Sequence, residues 1–176
     1  EIKRAWGVTA DGVNASFNSL NSVLMAEAHR PQAFRQLTEQ LQWLWATLKV
    51  PARDTAHVQR FCMGEPSATN LAHLFYQVSR WTQYHLEVVK GCDLISRREM
   101  LLADLLDHLT LSGGSPPDDA LTRKLADFYA FSHAAITHVT SVKGLYPGAS
   151  PAGPLLQDYI PKVRKDTVLV RSKQGD

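Results

Sequence analysis

Apolar residues recur at three- and four-residue spacing along most of the chain, which is the period of an amphipathic α-helix. The pattern predicts helices over residues 9–29, 31–49, 52–63, 68–111 and 120–143, followed by a short helix within residues 155–166. No sustained alternation typical of a β-strand precedes residues 167–176. Proline and glycine separate the predicted helices, and "SGGSPPDD" is a connection in which Ser115 or Asp118 can cap the next helix.

The segment from Ala68 to Leu111 contains no proline, and Gly91 is its only glycine. Ser67 is a suitable N-cap for a helix that begins there. A single glycine costs a helix only about 1 kcal/mol relative to alanine. We therefore predict one long, continuous or bent helix, with a break near Gly91 as the alternative.

Trp43 and Trp45 lie two positions apart in the second predicted helix and are therefore rotated by about 200° from each other. Trp45 falls four residues after Leu41, on the leucine stripe. Aromatic residues on opposite faces are typical of a helix that lies between neighbours in a bundle. The alternative is that Trp43 is an exposed anchor for a partner protein, because tryptophan is enriched at binding hot spots.

Together these features predict an all-α fold. It is an elongated bundle of four main helices plus short helices, with the 68–111 helix as its long central element. The helical bundle domain is expected to occupy residues 1–160. Residues 161–176 are basic and β-branched, and we predict a flexible tail there.

The composition narrows the class of protein. Hydrophobic residues make up 44% and charged residues 20%, which is sufficient for a packed core. A net charge of +2 is too small to indicate nucleic-acid binding, and no apolar run is long enough for a membrane span. The two cysteines favour a reducing, intracellular compartment. The opening Glu-Ile-Lys-Arg lacks an initiator methionine, so a part of a longer protein is expected.

Asp104, Asp107 and His108 share one helix face, as the ligands of a metal site in a helical bundle do. A bundle metal site needs matching ligands on a facing helix, and the chain contains no Glu-x-x-His. We therefore interpret these three residues as a solvated face. Asp118 and Asp119 follow two prolines and are best explained as helix-capping residues.

His85 falls in the apolar stripe of the long helix, where a hydrogen-bonded core histidine is the simpler interpretation. Cys62 and Cys92 show no charged pattern in the sequence that would activate a thiol, and buried cysteines are usually inert. No nucleophile motif or glycine-rich phosphate loop is present in the sequence. The prediction is a non-catalytic protein with no cofactor, metal or small-molecule substrate, and a bundle enzyme or metal protein is the least favoured alternative.

Basic residues cluster near the end of the chain, where Asp166 and Asp176 are the only acids. Such a cluster attracts acidic surfaces, although an ordinary solubilising end has the same composition. The candidate partner-binding residues are Trp43, Lys162, Arg164, Lys165, Arg171 and Lys173.

Residues 44–51 read Leu-Trp-x-x-Leu-x-Val-Pro. They are followed by Phe61, by Asn-Leu at 70–71, by Val-Ser-Arg-Trp at 78–81 and by Ile-Ser-Arg-Arg-Glu at 95–99. This order resembles the repeated helical pattern of the antiparallel microtubule-bundling family that crosslinks the anaphase midzone. The resemblance implies a protein-binding or scaffold domain of a larger cytoskeleton-associated protein, located in the cytoplasm or at the cytoskeleton. Tubulin or a sister subunit is then the expected partner. The alternative is a helical adaptor that binds a partner helix through an aromatic groove.

Overall fold

The computed structural model describes residues 27–112, 118–148, 156 and 159–174. In these ranges every regular element is helical and no strand occurs, which confirms the predicted all-α fold class. The helix predicted over residues 9–29 falls mostly outside the described residues, and its end, Glu27–His29, is a short 3-10 helix. Within the same described ranges, no helix combines the length and apolarity that crossing a bilayer requires.

The described residues contain five α-helices: α1 Arg30–Thr47, α2 Ala52–Cys62, α3 Ala68–Ser112, α4 Asp119–Leu145 and α5 Tyr159–Gln174. The first four agree with the predicted bounds to within two residues. Helix α3 has 45 residues and passes through Gly91 without a break, as predicted. Helix α5 is longer than the predicted short helix and includes most of the predicted tail.

Helix α1 ends in a Schellman motif, although the residue in the left-handed conformation is not glycine. Lys49 has a φ of 52°. Its N–H donates to the Ala46 carbonyl at 3.2 Å, and the Val50 N–H donates to the Trp45 carbonyl at 2.9 Å. These two bonds satisfy carbonyls that the helix end would leave unpaired. Pro51 then begins the turn into α2 with extended backbone.

Side chains cap the next two helices as the sequence predicts. The Asn70 N–H donates to Ser67 Oγ at 3.2 Å at the start of α3. The Leu121 N–H donates to Asp118 Oδ1 at 2.6 Å at the start of α4. Asp118 therefore provides the cap, while the other candidate, Ser115, lies outside the described residues.

The chain divides into two compact units. The first comprises Glu1–Leu86 with Tyr146–Pro154, so it contains α1, α2 and the first part of α3. The described buried apolar residues of this unit come from α1 and the turn that follows it, from α2, from the first part of α3, and from Tyr146 just after α4. These buried residues include Leu37, Leu41, Leu44, Trp45, Leu48, Val58, Leu71, Leu74, Val78, Trp81, Tyr84 and Tyr146.

The second unit comprises Glu87–Leu145 with Leu155–Asp176, and so contains the rest of α3, with α4 and α5. Its buried apolar residues come from all three helices. One cluster consists of Leu102, Leu105, Leu121, Phe128 and Val170.

Gly91 explains the close packing of α3 and α4 in the second unit. A Cβ atom at Gly91 would lie 3.4 Å from Leu156 Cδ1, an ordinary van der Waals contact. It would lie only 3.2 Å from His138 Cδ2, which is closer than an ordinary contact. His138 Nε2 lies 2.8 Å from the Glu87 carbonyl oxygen and donates to it. The glycine therefore leaves room for the imidazole to reach the backbone of α3.

Candidate functional site

Helix α5 is amphipathic, and its apolar side is buried. Pro161 lies in its first turn, where a missing N–H costs no intrahelical hydrogen bond. Val163 and Val170 are seven residues apart on one face and are fully buried. Thr167 lies between them and donates its hydroxyl to the Val163 carbonyl at 2.8 Å. Residues 161–174, which the sequence predicts to be a tail, are therefore part of a helix in this structure. The buried residues Val163 and Val170 recur at the spacing of a helix that packs on one side.

Arg98 is a fully buried arginine in the second unit, with 0% of its surface exposed. Its Nη1 atom donates to Asp166 Oδ2 at 2.6 Å and to Glu99 Oε1 at 2.8 Å. Its Nε atom donates to Ser132 Oγ at 3.2 Å. The guanidinium carbon also lies 4.9 Å from the centroid of the Phe128 ring. Arg98 on α3 therefore contacts α4 and α5 at once.

Lys162 completes the charge balance around this arginine. Its ammonium contacts Glu99 Oε2 and lies 3.2 Å from Asp166 Oδ2. The Tyr159 hydroxyl donates to Glu99 Oε1 at 3.1 Å. Two cations thus face two carboxylates, a set that we call the Arg98 network: Arg98, Glu99, Lys162 and Asp166. Lys162, one of the candidate partner-binding residues, is engaged within the protein, although 48% of its side chain is exposed.

Hydrogen bonding outweighs burial in setting the protonation of this network. Burial alone would raise the pKa of Asp166 and of Glu99, but hydrogen bonds from Arg98 and Lys162 lower both. Burial alone would lower the pKa of the Arg98 guanidinium, but hydrogen bonds to Asp166 and Glu99 raise it. Burial is the main cause that raises the pKa of Tyr159 to about 12. At neutral pH all four network members are charged.

Acidification is expected to weaken the packing of α5. Because folding lowers the pKa of Asp166 and Glu99, their stabilising contribution is complete above their ordinary values of 3.8 and 4.5. It is lost as the pH falls through the lower folded-state values. Thermal unfolding followed by circular dichroism from about pH 7 to pH 3 measures this loss. An Asp166→Asn variant should be less stable at neutral pH, and the difference should shrink on acidification. Parallel curves would contradict this assignment.

The outward side of α5 carries only positive charge. Asp166 is the only acidic residue in Tyr159–Gln174, and the Arg98 network holds it inward. Val168 and Leu169 are 66% and 43% exposed on the same side. We call this surface the cationic face; it is the whole exposed arc of α5, about 200° wide with Arg171 and Lys173 at its two edges, and it consists of Arg164, Lys165, Val168, Leu169, Arg171 and Lys173.

Four of the five basic candidate residues thus remain available on this face. Among the described residues, no carboxylate forms an ion pair with Arg164, Lys165, Arg171 or Lys173. The structure therefore brings these four predicted residues together on one helix. Lys162 lies on the same helix but pairs with Glu99 and Asp166 in the Arg98 network.

Trp43 is more exposed than the sandwiched-helix interpretation predicts. Its side chain is 43% exposed, whereas Trp45 is buried. One edge contacts the His85 ring, with centroids 5.5 Å apart. Burial lowers the pKa of His85, which favours the neutral imidazole, and its Nδ1 atom has no hydrogen-bond partner among the described residues. Trp43 is therefore partly exposed rather than enclosed between helices, and the hydrogen bond expected of a core histidine is not seen at His85 Nδ1 among the described residues.

The acidic candidates form ordinary surface pairs. Asp104 lies 2.8 Å from Lys124 Nζ, and His108 lies 3.8 Å from Asp118. In the part of the chain that the structure describes, no group of three or more His, Cys, Asp or Glu residues is placed to hold a metal ion. Both free thiols have a pKa raised by burial, which disfavours the reactive thiolate.

Sequence reasoning missed Arg98, the residue that organises this site. Arg98 precedes Leu102 by four residues and Leu105 by seven, so it lies on the apolar stripe of α3, whereas its neighbour Arg97 does not. Arg97 is indeed exposed and pairs with Asp93 at 3.0 Å. The sequence feature that indicates a buried arginine is the position of Arg98 on the same helix face as the apolar residues Leu102 and Leu105.

Comparison with protein-family models, with curated proteins and with solved structures finds no match to this chain.

Proposed function

We propose that this chain is a non-catalytic protein-binding scaffold domain of a larger cytoskeleton-associated protein, and that its cationic face binds an acidic protein surface. The proposal is supported mainly by the distribution of charge on α5, whose acidic residue points inward and whose exposed charged residues are basic. Arg98 draws the single carboxylate of the helix inward, so that every charged side chain on the outward side is basic.

Charge sorting of this kind favours association with an acidic partner. Clustered like charges raise the local potential and accelerate encounter with a surface of opposite charge. A helix also presents its side chains with fixed spacing, which lowers the entropic cost of binding compared with a disordered tail.

The acidic tails of tubulin and an acidic sister subunit both meet this requirement. The resemblance of residues 44–99 to the microtubule-bundling family supports a cytoskeletal partner and a place in the cytoplasm or at the cytoskeleton. Tubulin is the partner that can be tested first.

Co-sedimentation with microtubules over a salt series tests this function. We expect the chain to pellet at about 50 mM salt and to be released by about 300 mM, because salt screens exposed charges. Reversing one charge of the cationic face with Arg171→Glu should weaken binding about tenfold, which corresponds to about 1.4 kcal/mol.

Arg123→Glu is the matched control, since Arg123 is an exposed arginine of α4 and the net charge changes equally. We expect this control to bind like the unchanged chain. Equal loss in the two variants would indicate a response to net charge alone, and no pelleting at low salt would exclude the microtubule partner.

Trp43 supports a second candidate function, an adaptor that binds a partner helix through an aromatic surface. Truncating a hot-spot tryptophan commonly costs at least 2 kcal/mol of binding energy, whereas exposed substitutions change stability by about 0.5 kcal/mol or less. Trp43→Ala is therefore expected to keep its melting temperature but to lose a partner recovered by pull-down.

Tyr76→Ala provides the comparison, because Tyr76 is an exposed aromatic residue of the same unit. A partner that is lost equally from both variants, or from neither, would argue against this adaptor role.

A further inference from the structure

We infer that the partner of the cationic face is an acidic amphipathic helix, whose aliphatic side chains cover Val168 and Leu169 while its carboxylates pair with the surrounding basic residues. The inference rests on the proposed function, because it assumes that the cationic face binds an acidic protein. It adds the conformation and the apolar component of that protein.

The spacing of exposed residues on α5 carries the inference. Arg164, Val168 and Arg171 lie at positions i, i+4 and i+7, so they form one row along the helix. Lys165, Leu169 and Lys173 lie at i, i+4 and i+8 and form a second row. Both rows have a cation, an exposed aliphatic residue and a second cation.

Val168 and Leu169 are 66% and 43% exposed, so the cationic face has an apolar component that carboxylates alone would leave uncovered. The best complement to the two rows is an alternation of acidic and aliphatic residues at three- and four-residue spacing. That alternation is the surface pattern of an amphipathic helix with an acidic flank. The rows extend over residues 164–173, about 14 Å of helix, which matches roughly three turns of a partner.

A protein helix fits this surface better than a lipid membrane does. Helices that lie in a membrane interface insert a continuous apolar face that contains large residues such as Trp, Phe and Leu. On α5 the other valines, Val163 and Val170, are buried inside the protein. On the cationic face Val168 and Leu169 are separated around the helix by Lys165 and Ser172, so they form no continuous apolar face.

Two synthetic peptides of equal composition test the inference with the chain of 176 residues. The first peptide has about 21 residues, with leucine at heptad positions a and d and glutamate beside them. The second has the same residues in an order that scatters leucine around the helix, so its net charge is unchanged. Fluorescence anisotropy measures the dissociation constant of each peptide at about 50 and 300 mM salt.

We expect the first peptide to bind about tenfold more tightly than the second and to keep part of its affinity at high salt. A Val168→Gln/Leu169→Gln variant should remove this preference and still bind both peptides weakly. An Arg164→Glu/Arg171→Glu variant should lose both peptides. Circular dichroism confirms that each variant remains helical.

Equal affinity for the two peptides would overturn the inference while leaving the proposed acidic partner intact. Failure of both peptides to bind at low salt would overturn the inference together with the proposed function. Vesicles that contain phosphatidylserine provide the third probe. Binding to these vesicles that exceeds binding to the first peptide, and that is lost in the Val168→Gln/Leu169→Gln variant, would assign the surface to a lipid and overturn the inference.

Discussion

Replacing Asp166 with alanine is expected to destabilise the second unit by about 3 kcal/mol, because it removes a carboxylate that pairs with a fully buried arginine. Arg98 is fully buried and lies 2.6 Å from Asp166 Oδ2. Without that carboxylate, Glu99 alone would compensate the guanidinium. Urea unfolding followed by circular dichroism measures the change in the free energy of unfolding.

Asp93→Ala is the control for this measurement, because Asp93 and Arg97 form an exposed pair on α3. An exposed pair of this spacing contributes only about 0.3–0.5 kcal/mol. The double substitution Arg98→Met/Asp166→Leu should recover most of the stability, since well-packed apolar residues often replace a buried pair without loss. A cost below about 1 kcal/mol for Asp166→Ala would show that Arg98 is hydrated or compensated elsewhere.

Two buried tyrosines of the first unit are expected to respond oppositely to the loss of a hydroxyl. The Tyr146 hydroxyl donates to Asp54 Oδ2 at 2.9 Å, and Asp54 is itself buried. Tyr146→Phe should therefore cost about 2 kcal/mol, the range for a hydrogen bond to a charged group. The Tyr84 hydroxyl is buried with no partner among the described residues. Tyr84→Phe should raise the free energy of unfolding by about 1 kcal/mol.

The pair is well matched, because the two rings are in edge contact with centroids 5.2 Å apart and both contact Trp81. Thermal and urea unfolding of the two variants give the comparison. If both substitutions destabilise equally, then Tyr84 has a hydrogen bond to water or to another part of the chain.

The helices α1 to α4 could be predicted from the sequence because each has a long apolar stripe and a recognisable start or end. Proline at residue 51 and the caps at Ser67 and Asp118 were sufficient to place three boundaries. Helix α5 was assigned only in part, because the run Thr-Val-Leu-Val is β-branched and suggests a weak helix former. Tertiary burial of Val163 and Val170 outweighs that local preference.

The candidate site was predictable in composition but not in arrangement. The basic residues of α5 were identified from the sequence, whereas the inward position of Asp166 depends on Arg98, a residue 68 positions earlier. A single sequence gives no direct measure of such a distant pairing. The exposure of Trp43 also depends on which helices pack against α1, and helical periodicity alone cannot specify the neighbours.

The missing side chain at Gly91 helps to set the axial alignment of α3 and α4. Gly91 is the only glycine in Ala68–Ser112, so no other position of this helix leaves the same space beside its backbone for His138. A slip of one residue, about 1.5 Å along the axis, would set the imidazole against Lys90 or Cys92 and break its bond to the Glu87 carbonyl. Contact with Gly91 therefore acts together with the Arg98–Ser132 and Lys124–Asp104 hydrogen bonds to favour one register of the two helices.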